Sequence, residues 1–511
     1  MVSSWARRPE AGRTEAVAVL MPVTVMLAIG LWGLDRGGMW RDEAVTFQVA
    51  RRSVPQIWQL LHSVDAVHGL YYLLMHVVLT PHPGEVALRL PSVCGAAATA
   101  GLVAAMGVRL CRPRVGLWAG LLYAVTPMTG HFAQEGRSYA LVAAGVAGAT
   151  LLLVRALRTG GWWAYGGTVA VTCLLHEFAV LVLLAHAGTL ALARVPRRMW
   201  WRWGCAAGAA LLVLLPLALV SQGQSAQVAW LPMPGFGSAD RLLRAFAGPR
   251  QLVFVPYLVL IALALRSPLA RRGELTLRAV ALPLMVVPPA VLMTVSRFWP
   301  LYDERYVLYA LAGAPLLAAA GAERLVSMVP RLALSSLSGV LTGVLAIALV
   351  FVWQLPLLRK DRIPDRRPDN LAVVSAVAGR ELRPGDPVLF LPSLVRRSAL
   401  AYPNGFRGVR DIALREPGPV SGTLYGQEAN PGELRRRLDR LDRVWVVAEP
   451  FALRPAWYPG SATERLKLTV VGEEFVPREE VARKGVTLRL YVRKSAPEGG
   501  DASVYAHRAA P

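Results

Sequence analysis

Between residues 16 and 355 the chain repeats one pattern: an apolar run close to the length of a membrane crossing, then a short connection rich in arginine. A bilayer core takes roughly 20 apolar residues as a helix, because each backbone N–H and C=O must find its partner inside the segment. Runs of this kind lie near residues 16–34, 86–109, 114–130, 138–157, 162–176, 178–194, 203–221, 251–266, 275–295, 305–325 and 332–355. The expectation is an α-helical polytopic membrane protein of about 11 transmembrane helices. "GLYYLLMHVVL" (69–79) is too short to cross, and its Tyr71, Tyr72 and His76 suit an amphipathic helix at the interface. A content of 54% hydrophobic and 17% charged residues excludes an ordinary soluble enzyme of this size.

The formal charge of +23 raises the question of nucleic acid, but the arginines form short clusters between apolar runs, which reads as membrane topology and no nucleic-acid partner. Lysine is confined to Lys360, Lys467, Lys484 and Lys494. Clusters at Arg7/Arg8/Arg13, Arg109/Arg112/Arg114, Arg155/Arg158, Arg194/Arg197/Arg198/Arg202, Arg266/Arg271/Arg272 and Arg324/Arg331 mark alternate connections as cytoplasmic. The other face then holds the first loop (about 35–85), residues 127–139, the turn at His176–Glu177, residues 221–250 and residues 296–306. No cleavage site follows the first run, so residues 1–15 read as a cytoplasmic tail before an uncleaved span.

From residue 356 the texture changes. A charged linker (356–372) leads to a small soluble α/β domain (373–494), placed outside by the odd span count, and then to a tail (495–511) of disordered composition. "DPVLFLP" (386–392) and "DRVWVVAEP" (442–450) have the texture of buried strands, and "GVTLRLYVRK" (485–494) alternates like a strand. "NPGELRRRLDRL" (430–441) reads as a helix with Asn430 as N-cap and Pro431 at its first position. Cys94, Cys111, Cys173 and Cys205 match neither a zinc spacing nor a disulfide framework.

"GGMWRDEAVTF" (37–47) follows the first span. Asp42 and Glu43 read either as a helix start that favours the macrodipole, with Arg41 compensating, or as a general base made more basic by partial desolvation. Four motifs occur in order: "WRDEA", "DAVHGLYYLL" with Asp65 and His68, "ALRLPSV" (87–93) and "QEGRSYAL" (134–141). Together they resemble the GT-C superfamily of integral-membrane glycosyltransferases, and within it the family 39-like enzymes that include protein O-mannosyltransferases and the lipid A aminoarabinose transferase. The resemblance spans residues 15–355. Gly69 stands where that family carries prolines after the histidine.

The resemblance implies a GT-C-like fold and transfer of a mannose- or arabinose-like sugar, with inversion, from a polyprenyl-phosphate donor. The acceptor it implies is a hydroxyl of a glycan, glycolipid or protein at the extracytoplasmic face of the bacterial plasma membrane. Asp42 matches the position of the family's base, with Glu43 as the fallback. Arg137 and Arg305 are the candidates for holding the departing lipid phosphate, since arginine stays protonated and forks onto phosphate oxygens. His68, Gln134, Glu135, His176, Tyr302 and Tyr306 are candidate substrate contacts. For Glu135 an ion pair, for the tyrosines an aromatic belt and for His176 a structural role remain alternatives. Asp42, Glu43 and His68 have metal-ligand chemistry, so a divalent cation beside the phosphate stays open. A transporter or lipid flippase is the rival reading, which the clustering of acidic residues on one face and the lack of an inverted hydropathy repeat disfavour.

Overall fold

The structure is a computed structural model that describes residues 9–266, 274–328, 336–363, 369–483 and 485–494. The expected tail (495–511), part of the N-terminal tail and of the linker, and Arg7, Arg8, Arg271, Arg272 and Arg331 lie outside the described residues. Contacts divide the chain into two units. The first comprises Met1–Gly37 and Val45–Arg367, and the second comprises Gly38–Ala44 and Pro368–Pro511.

The first unit is helical. It starts with α1 (Pro9–Leu31), the short helices α2 (Arg41–Ala50), α3 (Val54–Leu61) and α4 (Gly69–Leu79), and the long α5 (Glu85–Leu110). The first four residues of α2 group with the second unit and the rest with the first. Next come α6 (Pro113–Val125), α7 (Pro127–Phe132), α8 (Tyr139–Thr159), α9 (Trp162–Leu175), α10 (Val182–Leu192) and α11 (Arg197–Gly223). The unit closes with α12 (Phe236–Ala247), α13 (Gln251–Leu265), α14 (Leu277–Val295), α15 (Gly313–Met328) and α16 (Ser336–Asp361).

Each of the eleven apolar runs is helical, but they differ in reach. Among the described residues, seven helices are long and apolar enough to cross a membrane, and the pair α12–α13, bent by 86°, makes an eighth if counted as one span. The run at 114–130 breaks into α6 and α7 because Pro127 cannot continue the helix before it. The run at 178–194 opens as a 3₁₀ turn, Glu177–Leu181, and the run at 305–325 opens as the 3₁₀ segment Glu304–Ala312.

Small residues let the central helices meet. A Cβ on Gly107 of α5 would lie 2.6 Å from the Cα of Gly116 in α6, and one on Gly116 would lie 2.4 Å from the carbonyl oxygen of Ala104. With little hydrophobic drive between helices in lipid, such backbone approach supplies the packing. Arg114 of α6 forks onto Glu323 of α15, at 2.5 Å for Nε to Oε2, and Arg112 joins the same carboxylate at 2.9 Å. By contrast α11 and α16 leave leucines such as Leu212, Leu219, Leu345 and Leu349 exposed along their length, as a lipid-facing helix does.

The second unit is a three-layer α/β sandwich. Its elements in order are α17 (Leu371–Glu381), β1 (Pro387–Leu391), α18 (Arg397–Ala401), β2 (Arg410–Asp411), β3 (Leu414–Glu416) and α19 (Gly418–Ser421). They continue with β4 (Gln427–Glu428), α20 (Pro431–Asp439), β5 (Arg443–Ala448), α21 (Ala462–Glu474), β6 (Phe475–Arg483) and β7 (Val486–Arg493). The main sheet has the order β2-β1-β5-β7-β6, parallel across β2, β1 and β5 and antiparallel from β5 to β6. α20 and α21 pack Leu434, Leu438 and Val470 on one face against Leu389 and Val446, while α17 packs Val374 and Val377 on the other against Val388 and Val447. Two covered faces explain why β1 and β5 read as unbroken apolar runs. Asn430 caps α20 by accepting from the Glu433 N–H, as its sequence position suggests.

Gly38–Ala44 is stitched into this second unit. The Met39 carbonyl accepts from the Leu371 N–H at 3.3 Å, and the Met39 N–H donates to the Tyr402 hydroxyl at 2.7 Å. Gly38 lies so close to Ala372 that a Cβ would come within 2.6 Å of its methyl group.

Candidate active site

Within the first unit, the residues around the start of α8 and the ends of α9 and α4 form one polar and aromatic cluster. Arg137, 6% exposed in the turn before α8, donates to His68 Nε2 at 2.7 Å and to Thr46 Oγ1 of α2 at 3.2 Å. His68 is the last residue of a 3₁₀ turn whose N-cap, Asp65, takes the left-handed conformation at φ 55°. That conformation is unusual for a non-glycine residue and is tolerated by aspartate. The Asp65 carboxylate accepts from the Tyr72 hydroxyl at 2.7 Å, and Gln224 and Gln227 accept from the Ala66 and Asp65 N–H groups.

The imidazole of His68 lies 5.7 Å from that of His176, which lies 4.9 Å from the Tyr306 ring and 5.6 Å from that of Tyr139. The Arg305 guanidinium sits over Tyr139 at 5.7 Å and over Tyr306 at 5.5 Å, and its Nε is 3.3 Å from Asp303. His68, Arg137, His176, Arg305 and Tyr306 are thus brought together. Tyr302 is buried in the apolar core beside this segment, and among the described residues its ring joins none of these pairs.

Burial, followed by the positive charge of Arg137, the neighbouring His176 imidazole and the positive charge of Arg305, holds the His68 imidazole well below the ordinary histidine range, since a proton on any of these would repel one on His68. It is therefore neutral, with the Nε2 lone pair taken by Arg137 and the proton assigned by this bond to Nδ1. Among the described residues Nδ1 has no hydrogen-bond partner. Burial and then the Asp65 charge push the Tyr72 phenol well above its usual range, so it stays protonated and donating. Two guanidiniums beside neutral donors and ring faces can hold a phosphate and stack a sugar.

A cation does not fit at His68. Its one lone pair is engaged, two guanidiniums raise the local positive potential, and among the described residues no group of three or more His, Cys, Asp or Glu could hold a metal ion.

Gln134 and Glu135 belong to the frame of this cluster. The Gln134 amide donates to the carbonyls of Gly30 and Trp32, both at 2.8 Å, tying the turn to the end of α1. Glu135 is buried, and its carbonyl and that of Arg137 both accept from the Ser92 hydroxyl at 2.6 and 3.0 Å. The motifs "ALRLPSV" and "QEGRSYAL" therefore meet through Ser92.

Asp42 and Glu43 fall in the first turn of α2, in the segment grouped with the second unit. Glu43 is fully buried and Asp42 half-buried. Arg41 forks onto Asp369, Nε to Oδ2 at 2.6 Å and the second nitrogen to Oδ1 at 3.2 Å.

Sequence reasoning gave Arg89 no role. In the structure it is 1% exposed and donates to the carbonyls of Leu34, Arg36 and Gly37 at 2.9, 3.2 and 3.2 Å, fixing the loop that leads away from α1. The available signal was a lone arginine one turn inside a long apolar helix, where an uncommitted charge is expensive.

No family model and no curated protein matches the chain. Solved structures do. ArnT from Cupriavidus metallidurans in the apo state aligns with a TM-score of 0.60 at 13% identity, over 92% of this chain and 97% of that one. The same enzyme bound to undecaprenyl phosphate gives 0.56 at 13% identity over the same shares. The oligosaccharyltransferase AglB from Archaeoglobus fulgidus, solved with an inhibitory peptide and a dolichol-phosphate, gives 0.51 at 12% identity over 96% of this chain and 75% of that one. At these identities the likeness is one of fold, and it extends over nearly the whole chain: the protein has the GT-C-like fold, a multi-pass membrane bundle with a small C-terminal α/β domain.

Proposed function

We propose that the protein is a membrane glycosyltransferase that moves a mannose- or arabinose-like sugar from a polyprenyl-phosphate donor to an acceptor hydroxyl. The acceptor oxygen attacks the anomeric carbon as the bond to the phosphate oxygen breaks, and the configuration inverts. The electron pair of that bond leaves on the lipid phosphate, whose growing charge is met by Arg137 and Arg305. The Nδ1–H of His68 donates to a phosphate or sugar oxygen, and the rings of Tyr306 and His176 flank the sugar. Asp42 takes the acceptor proton. Its partial exposure supports it over Glu43, which has no exposed surface.

The observation that carries this reading is the pair of guanidiniums gathered among neutral histidines and tyrosines. The fold shared with enzymes solved with undecaprenyl phosphate and dolichol-phosphate supports the lipid-linked donor. The arginine pattern supports an active site on the extracytoplasmic face of the plasma membrane. Purified protein in nanodiscs, supplied with radiolabelled polyprenyl-phosphate mannose or arabinofuranose, is expected to pass label to an acceptor. Asp42→Asn is expected to lower that rate by about 10²–10⁴-fold, the usual worth of a general base, with melting unchanged. An Asp42→Asn protein of wild-type rate removes Asp42 as the base. A cysteine at position 393 that reacts with an impermeant thiol reagent only from the cytoplasm shows the span count to be off by one and puts the C-terminal unit on the cytoplasmic side.

A further inference from the structure

The segment "SQGQSAQ" (221–227), where α11 ends and a 3₁₀ turn (Ser225–Val228) begins, places Ser221, Gln224 and Gln227 three residues apart. Side chains at that spacing lie close to one another along one side of a 3₁₀ or α-helical turn. Each of the three bonds a turn that carries a histidine of the cluster. The Gln224 amide bonds at both ends, accepting from the Ala66 N–H at 3.0 Å and donating to the Leu61 carbonyl at 2.9 Å. Gln227 repeats the pattern with longer bonds, accepting from the Asp65 N–H at 3.3 Å and donating to the Ser63 carbonyl at 3.5 Å. The Ser221 hydroxyl donates at 2.5 Å to the carboxylate of Glu177, the residue after His176.

The His68 turn needs such a hold. Asp65 stands at φ 55°, a left-handed conformation that persists in a non-glycine residue only where its surroundings over-determine it. The two glutamines bond the backbone on both sides of it, the Leu61 and Ser63 carbonyls before and the N–H groups of Asp65 itself and Ala66 after. Without these bonds Asp65 can return to an ordinary backbone region, and the rotation is carried into His68 three residues on. The His176 turn is held from its other side as well. There the Tyr309 hydroxyl, in the 3₁₀ segment that carries Arg305 and Tyr306, donates to the Phe178 carbonyl at 2.9 Å.

We infer that Ser221, Gln224 and Gln227 are positioning residues that hold His68 and His176 at their 5.7 Å ring separation and keep His68 Nε2 on Arg137. They touch neither sugar nor phosphate and act through the two histidines. A reacting group displaced by 1 Å can cost about 10²-fold in rate, so a small loosening of this hold reaches turnover. The part of these residues in turnover rests on the proposed glycosyl transfer; their placing of the two histidines does not.

The test uses full-length protein in nanodiscs, with isotope-labelled histidine read by solid-state NMR and transfer followed from radiolabelled polyprenyl-phosphate mannose or arabinofuranose. The His68 signal, identified by its loss in His68→Gln, is expected to show the Nδ1–H tautomer in the wild type, as the bond from Arg137 sets it. Gln224→Met is expected to add the Nε2–H tautomer at His68 and to lower kcat at least tenfold, with donor KM within threefold. Gln224→Glu, which keeps an acceptor for the Ala66 N–H and loses the donor to Leu61, is expected to fall between. Ser221→Ala is expected to shift the His176 signal. His186, bonded to Tyr165 at 2.9 Å and Thr150 at 3.0 Å, is the internal control and stays unchanged. Should Gln224→Met fail to fold, as judged by melting, Ser221→Ala decides. A folded Gln224→Met protein with the wild-type His68 tautomer or the wild-type kcat, or an unmoved His176 signal in Ser221→Ala, overturns the assignment. A His68 signal that changes in Gln224→Met, in a protein that transfers sugar from no polyprenyl-phosphate donor, upholds the positioning and refutes the proposed function. Asp42-dependent transfer with unmoved histidine signals in both variants does the reverse.

Discussion

Replacing Arg137 by methionine separates a structural from a chemical role for the cluster. The substitution keeps most of the side-chain volume and removes the donors to His68 Nε2 at 2.7 Å and Thr46 Oγ1 at 3.2 Å. Each buried acceptor left unpaired costs about 1–3 kcal/mol. Against this, the variant no longer buries a guanidinium, whose desolvation costs several kcal/mol. The two effects oppose each other, so the expected net change in folding stability is about 2 kcal/mol or less. Loss of a charged donor from the developing phosphate has no such offset and is worth about 2.7–4 kcal/mol, or 10²–10³ in rate. Initial rates with radiolabelled donor, taken alongside melting curves in nanodiscs, therefore should show a large loss of turnover in a protein that still folds. Arg137→Lys keeps the charge without the fork and should fall between the two. A folded Arg137→Met protein within threefold of the wild-type rate at saturating donor, with the same donor KM, refutes phosphate binding by this residue.

Three further outcomes are expected. Arg89→Met strips the carbonyls of Leu34, Arg36 and Gly37 of their donor, at a cost on the order of 3 kcal/mol, and limited proteolysis should cut the 33–40 loop faster; unchanged cleavage refutes the tether. Because the folded-state value of His68 is depressed, the unfolded chain binds the proton first as pH falls. Stability from neutral His68 is therefore complete above about 6.5 and is lost progressively below it. The melting temperature should drop between pH 7.5 and 5, and His68→Gln, which retains an acceptor for Arg137, should shrink that drop; an identical drop refutes the assignment. In the second unit Lys467 has no exposed surface and bonds Glu428 at 2.8 Å and Glu464 at 3.2 Å. Lys467→Met leaves the Glu464 carboxylate without its cation, while Glu428 keeps Arg396 at 2.8 Å, and should cost about 3–5 kcal/mol, read from denaturant unfolding of the full chain; a variant as stable as wild type refutes the account.

Local periodicity carried much of this architecture, and long-range partners did not. The apolar runs became helices because a single physical demand, backbone satisfaction in lipid, is written over about 20 consecutive residues. β1 and β5 were legible because both faces are covered, and β7 because it alternates. β6 was not anticipated: as an edge strand its "PREEVAR" stretch is largely exposed, so its composition looks like loop. In the cluster, His68 and Arg137 were chosen from the ordered motifs and His176, Arg305 and Tyr306 from the family resemblance, and the five converge in the structure. Arg41 shows the limit. Its partner Asp369 stands 328 residues further along, and nothing local in "MWRDEA" distinguishes that pairing from one with an adjacent carboxylate.

The stitching of Gly38–Ala44 onto α17 and Tyr402 bears on how the chain can be taken apart. The C-terminal unit is discontinuous in sequence, because one of its pieces is supplied from a point more than 300 residues upstream. A chain stopped at Ile363 would keep Asp42 and Glu43 yet lose Asp369, Leu371 and Tyr402, which fix the backbone on which they stand. Loss of activity on such truncation would report the release of an N-terminal segment as readily as the loss of a C-terminal one. An exchange of C-terminal units between related chains should accordingly carry residues 38–44 with it, and should fail without them.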